Sequence, residues 1–299
     1  MTTKGTLTGR RRGAVDRSGI RIVYEVAGAG DPPVAFLPAW GIADRRMWAA
    51  QVAALAPRHR TIAYDGRGTG GSDRPTDPAA YEVAALVGDA AAVLEAAAAR
   101  PAVVVGNSLG ALLGFLMTAQ RPDLVAGLVL IGGLVDVDGT TPSPLQRAAA
   151  AFDDVVTTGD PDGWWRYNRH EWAGDFPGFV RWFVDTALGA EATDEARADG
   201  LAGGLDAGAE VLASMAARSR RPQADRAAML RGLAGRVECP VLVITGDHDA
   251  VVPPAWGAAQ ARVLGARHVV LRGAGHCPHV TRPAVVADLL SAFVEEIAS

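Results

Sequence analysis

Two cysteines, Cys239 and Cys277, are all that the 299-residue chain contains. That is too few for a disulfide scaffold and fits a reducing cytoplasm. Lysine is scarcer still, with Lys4 the single one among 29 basic residues. The glycine-rich stretch Asp65 to Pro75 therefore has no lysine to reach a phosphate, and it also lacks the G-x-x-x-x-G-K-[ST] order of a phosphate loop. Arginine in place of lysine, with abundant alanine and glycine, points to a high-GC bacterial genome. No apolar run reaches the ~18 residues of a membrane span. Met1 to Arg12 is polar and basic without the apolar stretch of a signal peptide, and reads as a frayed tail. The net charge of −4 argues against a nucleic-acid partner. His248, His268 and His279 lie near His276, but no H-x-x-x-H or Cys/His cluster offers zinc-ligand spacing. No cofactor, metal, nucleic acid or membrane is expected. With 49% hydrophobic and 21% charged residues, the chain can bury a large core. It shows no internal repeat and no low-complexity segment beyond alanine enrichment.

What is present centres on Gly106-Asn107-Ser108-Leu109-Gly110, directly after the apolar run Ala102 to Val105. It matches G-x-S-x-G, a sharp strand-to-helix turn that lifts a serine hydroxyl clear of the backbone as a nucleophile. The glycines are needed because backbone meets backbone there and a Cβ would clash. With 35 glycines in 299 residues, chance supplies only about 0.1 such matches. The context sharpens the motif: a β-branched run precedes it, and helical patterning follows from Ala111 up to Arg121-Pro122.

Two later segments extend the motif to a constellation. Pro240 to Ile244 reads as a buried strand ending in Thr245-Gly246-Asp247-His248-Asp249-Ala250-Val251-Val252-Pro253. His268 to Leu271 reads as another, leading into Gly273-Ala274-Gly275-His276-Cys277-Pro278. The chain order is thus serine, acid, histidine, which differs from the two other well-known serine-triad orders. A serine hydroxyl is a poor nucleophile at neutral pH and needs an imidazole to take its proton. The imidazole in turn needs a carboxylate to fix its tautomer and stabilise the imidazolium. Asp247 and Asp136 are rivals to Asp249, which alone sits four residues before Pro253. Cys277, beside His276, has no elbow of its own and reads as a small packing residue.

With these motifs the chain resembles the α/β-hydrolase family over nearly its whole length. Gly246 to Pro253 resembles the family's G-x-x-D-x-x-x-P acid loop, and Gly275-His276 its histidine loop. Asp65-Gly66-Arg67-Gly68-Thr69-Gly70-Gly71-Ser72 is similar to its D-x-R-G-x-G-x-S loop after the fourth strand. The resemblance implies an α/β-hydrolase fold: a mostly parallel eight-stranded sheet flanked by helices, with a helical cap inserted after the sixth strand. By it Ser108 is the nucleophile, His276 the general base and Asp249 the orienting acid. The backbone N–H groups of Leu109 and Trp40 are the implied oxyanion donors. Pro38-Ala39 stands where the family usually carries His-Gly, so either the loop has a conformation compatible with alanine or the oxyanion hole is altered.

The strand–helix alternation runs to about Gly133 and resumes at Val237, placing the core at 1–133 and 237–299 and the cap at 134–236. Helices are expected at Pro144 to Thr157, Pro161 to Ala173, Gly178 to Gly189, Thr193 to Ala198 and Ala207 to Arg218. The cap is rich in tryptophan, and Trp164, Trp165 and Trp182 are candidates for an apolar substrate pocket. Arg166 and His170 fall at i, i+4 on an expected helix face, with Glu171 and Asp175 nearby.

The implied activity is that of a serine hydrolase acting on an ester, lactone or thioester of a small apolar-to-amphipathic molecule through an acyl-enzyme. Asn107 beside Ser108 resembles the elbow of C–C bond hydrolases, whose glycine-rich loop after the third strand is missing here. Non-hydrolytic relatives of the fold (lyases, cyclases, acyltransferases, haloperoxidases) and a triad-retaining receptor are the remaining readings. A small molecule is the expected partner, and oligomeric state stays open.

Overall fold

A computed structural model describes residues 9–139, 141–155, 159, 162–217 and 223–299. Its eight strands are β1 (Arg11–Asp16), β2 (Arg21–Ala27), β3 (Val34–Phe36), β4 (Thr61–Tyr64), β5 (Ala102–Asn107), β6 (Val125–Ile131), β7 (Val241–Gly246) and β8 (Arg267–Leu271). They form one sheet in the order β1-β2-β4-β3-β5-β6-β7-β8. The β1–β2 hairpin is antiparallel, as is β2 against β4, and every other pairing is parallel. β3, β4, β5 and β7 are buried at every position, which is why they read as continuous apolar runs. A parallel sheet is covered by helices on both faces.

Side chains alternate between those two faces. Phe36, Val103, Val105, Val129, Ile131 and Ile244 point toward α1 (Ala49–Leu55) and the C-terminal helix, while Ala35, Val104, Leu128, Leu130 and Val243 point to the opposite layer. That layer holds α2 (Val83–Ala96), α3 (Leu109–Gln120) and, after β7, α9 (Pro254–Leu264). The short α10 (Pro278–Thr281) precedes the C-terminal α11 (Pro283–Ala298). Val286, Leu290, Phe293 and Val294 of α11 are buried, whereas Val285, expected on the same stripe, is 44% exposed.

Between β6 and β7 the described residues form helices and loops without a strand: α4 (Pro144–Ala150), α5 (Arg169–Leu188), α6 (Asp194–Ala207), α7 (Ala209–Ala216) and α8 (Gln223–Ala234). Ser143 and Gln146 close a capping box on α4, which stops well short of the expected Thr157, a residue outside the described ones. The helices expected at 161–173 and 178–189 run on as α5, which the non-helical Asp175 (φ −146°, ψ 67°), two residues before Pro177, breaks into two segments within the expected gap. Asn168 caps it, so the helix starts later than expected, and Pro161 and Arg218 also lie outside the described residues. α6 continues past Ala198 despite Gly200, Gly203 and Gly204. These glycines let it approach its neighbours: a Cβ on Gly203 would lie 2.6 Å from the Ile42 carbonyl oxygen, and one on Gly204 would strike Val180. α8 has no expected counterpart, because its apolar face is little more than Ala227, Leu230 and Ala234.

The Asp65–Pro75 loop is held by its own polar side chains. Asp65 accepts hydrogen bonds from the amides of Arg45 (3.0 Å) and Gly71 (2.9 Å), and Ser72 Oγ donates to the Asp65 carbonyl at 2.7 Å. Arg67 Nη2 and Nε donate to the two oxygens of Asp89 at 2.7 and 2.5 Å, both side chains buried. Removing one partner of such a pair leaves a buried charge uncompensated. Asp89→Asn is expected to lower stability by about 3–5 kcal/mol, read as a drop in the denaturant midpoint at unchanged slope. A change under 1 kcal/mol would mean that the loop is held by Asp65 and Ser72 alone.

Candidate active site

Ser108 sits between β5 and α3 at φ 57° and ψ −117°, a conformation that L-residues rarely adopt. Its neighbours explain how the turn is sustained. Ser108 donates its amide to the Ile131 carbonyl at 3.0 Å, and its own carbonyl accepts from Leu134 at 3.2 Å. A Cβ on Gly106 would fall on the backbone of Gly110 and Ala111, and one on Gly110 would come within 2.7 Å of the Pro38 carbonyl oxygen. Both glycines of the motif are therefore required by contact.

The loops after β7 and β8 bring Asp249 and His276 together. His276 Nδ1 lies 2.8 Å from Asp249 Oδ2, with both side chains buried. The other carboxylate oxygen, Oδ1, accepts the amides of Val251 and Val252 at 2.8 Å each. The rival acids lie elsewhere: Asp247 accepts the Gly273 amide at 2.5 Å, and Asp136 accepts the Gly139 amide at 2.8 Å. The His276 amide donates to the Ala187 carbonyl at 3.0 Å, which ties the histidine loop to the end of α5. His268 Nε2 meets Thr245 Oγ1 at 3.0 Å and takes no part in this cluster.

The loop Pro38-Ala39-Trp40-Gly41 contains no positive-φ residue, so Ala39 is not asked for a backbone that only glycine favours. Among the described residues, neither the Trp40 nor the Leu109 amide donates a hydrogen bond to a protein acceptor. The Trp40 indole packs among aromatics of the segment between β6 and β7, 5.1 Å from Phe183 and 5.5 Å from Tyr167 between ring centroids.

Ser108, His276 and Trp40 open on one cavity of 390 Å³, with Phe183, Ala187 and Leu188 of α5 forming part of its wall. Trp164, Trp165 and Trp182, expected to line a pocket, are not on that wall. Trp164 packs edge-on against Trp182 at 5.2 Å, and Trp165 lies under the Arg166 guanidinium at 4.6 Å. Trp164 is buried and Trp182 half-buried against it, Trp165 is half-exposed, and Phe183, one residue further along α5, lines the cavity. Arg166 and His170 do not share a helix either: Arg166 ends a short 3₁₀ turn, and the His170 ring lies 3.3 Å from the Asp153 carbonyl.

Several contacts around the site had no sequence signal. Asn107, buried, donates from Nδ2 to the carbonyls of His276 (2.9 Å) and Ile131 (3.1 Å), joining the elbow to the histidine loop. Its Oδ1 faces the Cys277 thiol at 3.6 Å. Burial, and after it the Asp249 charge, pushes that thiol well above its ordinary range. Gly132, at φ 49°, leaves room for the acid–histidine pair, since a Cβ there would lie 3.0 Å from His276 Nδ1. No helix among the described residues is long and apolar enough to cross a membrane.

The family model of the alpha/beta hydrolase fold matches residues 32–283, and the chain belongs to that family. It is an α/β-hydrolase enzyme. It is 29% identical over 281 residues to a "Putative carbamate hydrolase RutD" of Variovorax paradoxus, a match spanning 92% of this chain and 97% of that one. Among solved structures, it superposes on an esterase from Exiguobacterium antarcticum with a TM-score of 0.78 at 20% identity, covering 93% and 96% of the two chains. The enol-lactonase of Burkholderia xenovorans gives a TM-score of 0.74 at 25% identity, with 95% and 100% covered.

Proposed function

We propose that this protein is a serine hydrolase that cleaves an ester or lactone of a small, largely apolar molecule through an acyl-enzyme on Ser108. The observation that carries the reading is one cavity shared by a serine on a strained elbow and a buried, carboxylate-held histidine. His276 takes the Ser108 proton as the hydroxyl attacks the acyl carbon, and returns it to the leaving oxygen. Asp249 holds Nδ1 protonated so that the opposite ring nitrogen is the base. The Trp40 and Leu109 amides, without protein acceptors, are the donors for the oxyanion. Water then attacks the acyl-enzyme by the same proton route. The helical segment 134–236 acts as the cap: its α5 walls the cavity and holds the histidine loop through Ala187. The names carried by relatives and structural neighbours (carbamate hydrolase, esterase, enol-lactonase) share a carbonyl attacked by a nucleophile, which fits this site. Asn107 is engaged with two backbone carbonyls, so the elbow resemblance to C–C bond hydrolases gains no support from its side chain.

The apolar wall gives a graded test. Activity on p-nitrophenyl esters is expected to rise from acetate to a medium acyl chain and then fall as the cavity fills. Each fully desolvated methylene contributes about 0.8 kcal/mol, roughly fourfold in kcat/KM. Phe183→Ala should move the optimum to a longer chain, because it enlarges the cavity. A chain-length profile that is flat in both proteins would place the acyl group outside this cavity.

A further inference from the structure

The histidine loop, residues 272–277, is gripped from two sides. On the sheet side, the His276 carbonyl accepts from Asn107 at 2.9 Å, while on the other its amide donates to the Ala187 carbonyl at the end of α5. Loop and helix end leave no room between them, since a Cβ on Gly275 would lie 2.9 Å from the Leu188 carbonyl oxygen. A single side chain fastens this contact at its edge. Arg282, beyond α10, donates through Nε to Glu191 Oε2 at 2.7 Å and through Nη2 to Glu191 Oε1 at 2.5 Å. Its Nη2 also donates to the Arg272 carbonyl at 2.6 Å, at the far end of the histidine loop. A planar guanidinium forked on a carboxylate fixes direction as well as distance.

Both ends of this link are braced. The Arg282 amide donates to the Pro278 carbonyl at 2.8 Å and its carbonyl accepts from Val286 at 3.2 Å, so its backbone joins α10 to α11. Glu191 lies in the turn between α5 and α6, where Arg197 pairs with Asp185 and donates to the Gly189 carbonyl at 3.0 Å. With its side chains 41% and 25% exposed, the Glu191–Arg282 pair adds little to global stability. Position is another matter, because a small misplacement of a catalytic group costs rate steeply. We propose that Arg282, held by Glu191, is a positioning residue that closes the histidine loop and locks it to the α5–α6 turn, keeping His276 where it deprotonates Ser108. This rests on the serine-hydrolase reading above. The base is then held from both sides, by Asn107 of the elbow and by the segment between β6 and β7.

The test measures kcat and KM on the best-cleaved p-nitrophenyl ester, the rate of fluorophosphonate labelling, and Tm. In Arg282→Met, kcat and the labelling rate are expected to fall together by about tenfold or more, with KM within about twofold of wild type. Glu191→Gln, which spares the Arg272 contact, should lose about threefold. Arg282→Lys keeps the charge without the fork and should recover part of the Arg282→Met loss. Combining Glu191→Gln with Arg282→Met should cost no more than Arg282→Met alone, since the two side chains act as one link. Tm should move by no more than about 4 °C. A larger fall in Tm would make the pair a brace of the fold, unchanged kcat and labelling would make it a surface contact, and a higher KM at constant kcat would assign it to the cavity wall; each overturns the proposal. Should Arg282→Met fail to fold, Glu191→Gln decides by the same readouts. If wild type labels at Ser108 but cleaves no ester, the serine-hydrolase reading falls, and the labelling rates still decide the role of Arg282. If wild type does neither, hydrogen exchange of the 272–277 amides decides: faster exchange in Glu191→Gln than in wild type supports the link, and equal exchange overturns it.

Discussion

Ser108→Ala should abolish both fluorophosphonate labelling and ester turnover, with a loss of ~10⁴-fold or more in kcat, while the protein stays folded. Folding survives because alanine keeps the same Cβ at φ 57°, and the turn is held by backbone bonds to Ile131 and Leu134 and by the close approach of Gly106 to Gly110. Residual turnover would come from binding and the oxyanion donors alone. The neighbouring thiol offers no substitute. Cys277 is held protonated by burial and by the adjacent Asp249 charge, and a protonated thiol is a weak nucleophile. Intact mass after labelling separates the outcomes, since adduct on the alanine variant would mean another nucleophile and peptide mapping would find it. A wild-type protein that labels at Ser108 yet cleaves no ester would remove the hydrolase reading and favour a lyase, a transferase or a receptor.

The parts of this site that were legible in the sequence are those where a motif restricts residue identity at fixed spacing. The elbow glycines are such a case, because any Cβ there strikes backbone, and that constraint is local. The acid–histidine contact was legible because the motif places Asp249 four residues before Pro253, and there its carboxylate accepts the Val251 and Val252 amides and meets His276. What stayed hidden depends on contacts distant in sequence. Asn107 meets the His276 carbonyl across 169 residues, and nothing near Asn107 announces that partner. Gly132 looks like an ordinary turn glycine after a strand, and only the assembled loops show His276 above it. The expected tryptophans lie off the cavity lining for a simpler reason. Consecutive helix positions point about 100° apart, so composition names an aromatic helix without saying which residue faces the cavity. Phe183 takes that place, and Trp182 turns to Trp164. The glycines of α6 misled in the opposite sense, since local propensity ends a helix where close packing against Ile42 and Val180 carries it on.

Asp249→Asn should reduce turnover by roughly 10³–10⁴-fold without unfolding the protein, and the geometry says why so small a change is so damaging. Asp249 Oδ1 accepts two backbone amides, from Val251 and Val252, at 2.8 Å each. Both are donors, so in the asparagine variant the amide oxygen must remain there and the NH₂ group must replace Oδ2. That group then points at His276 Nδ1, 2.8 Å away, and forces it to accept. The ring proton moves to the opposite nitrogen, the one that takes the Ser108 proton in the proposed mechanism, and its tautomer blocks it as a base. Labelling by fluorophosphonate should slow in parallel, because it needs the same deprotonation. Asp247→Asn and Asp136→Asn alter carboxylates that accept the Gly273 and Gly139 amides and do not meet His276, so each should change kcat/KM by less than about threefold, as expected for residues away from the reacting groups. The reverse ranking, with Asp136→Asn the damaging change, would move the acid to the end of β6. A severe loss in Asp249→Asn accompanied by a fall in Tm would instead assign this carboxylate to holding the loop at Val251 and Val252.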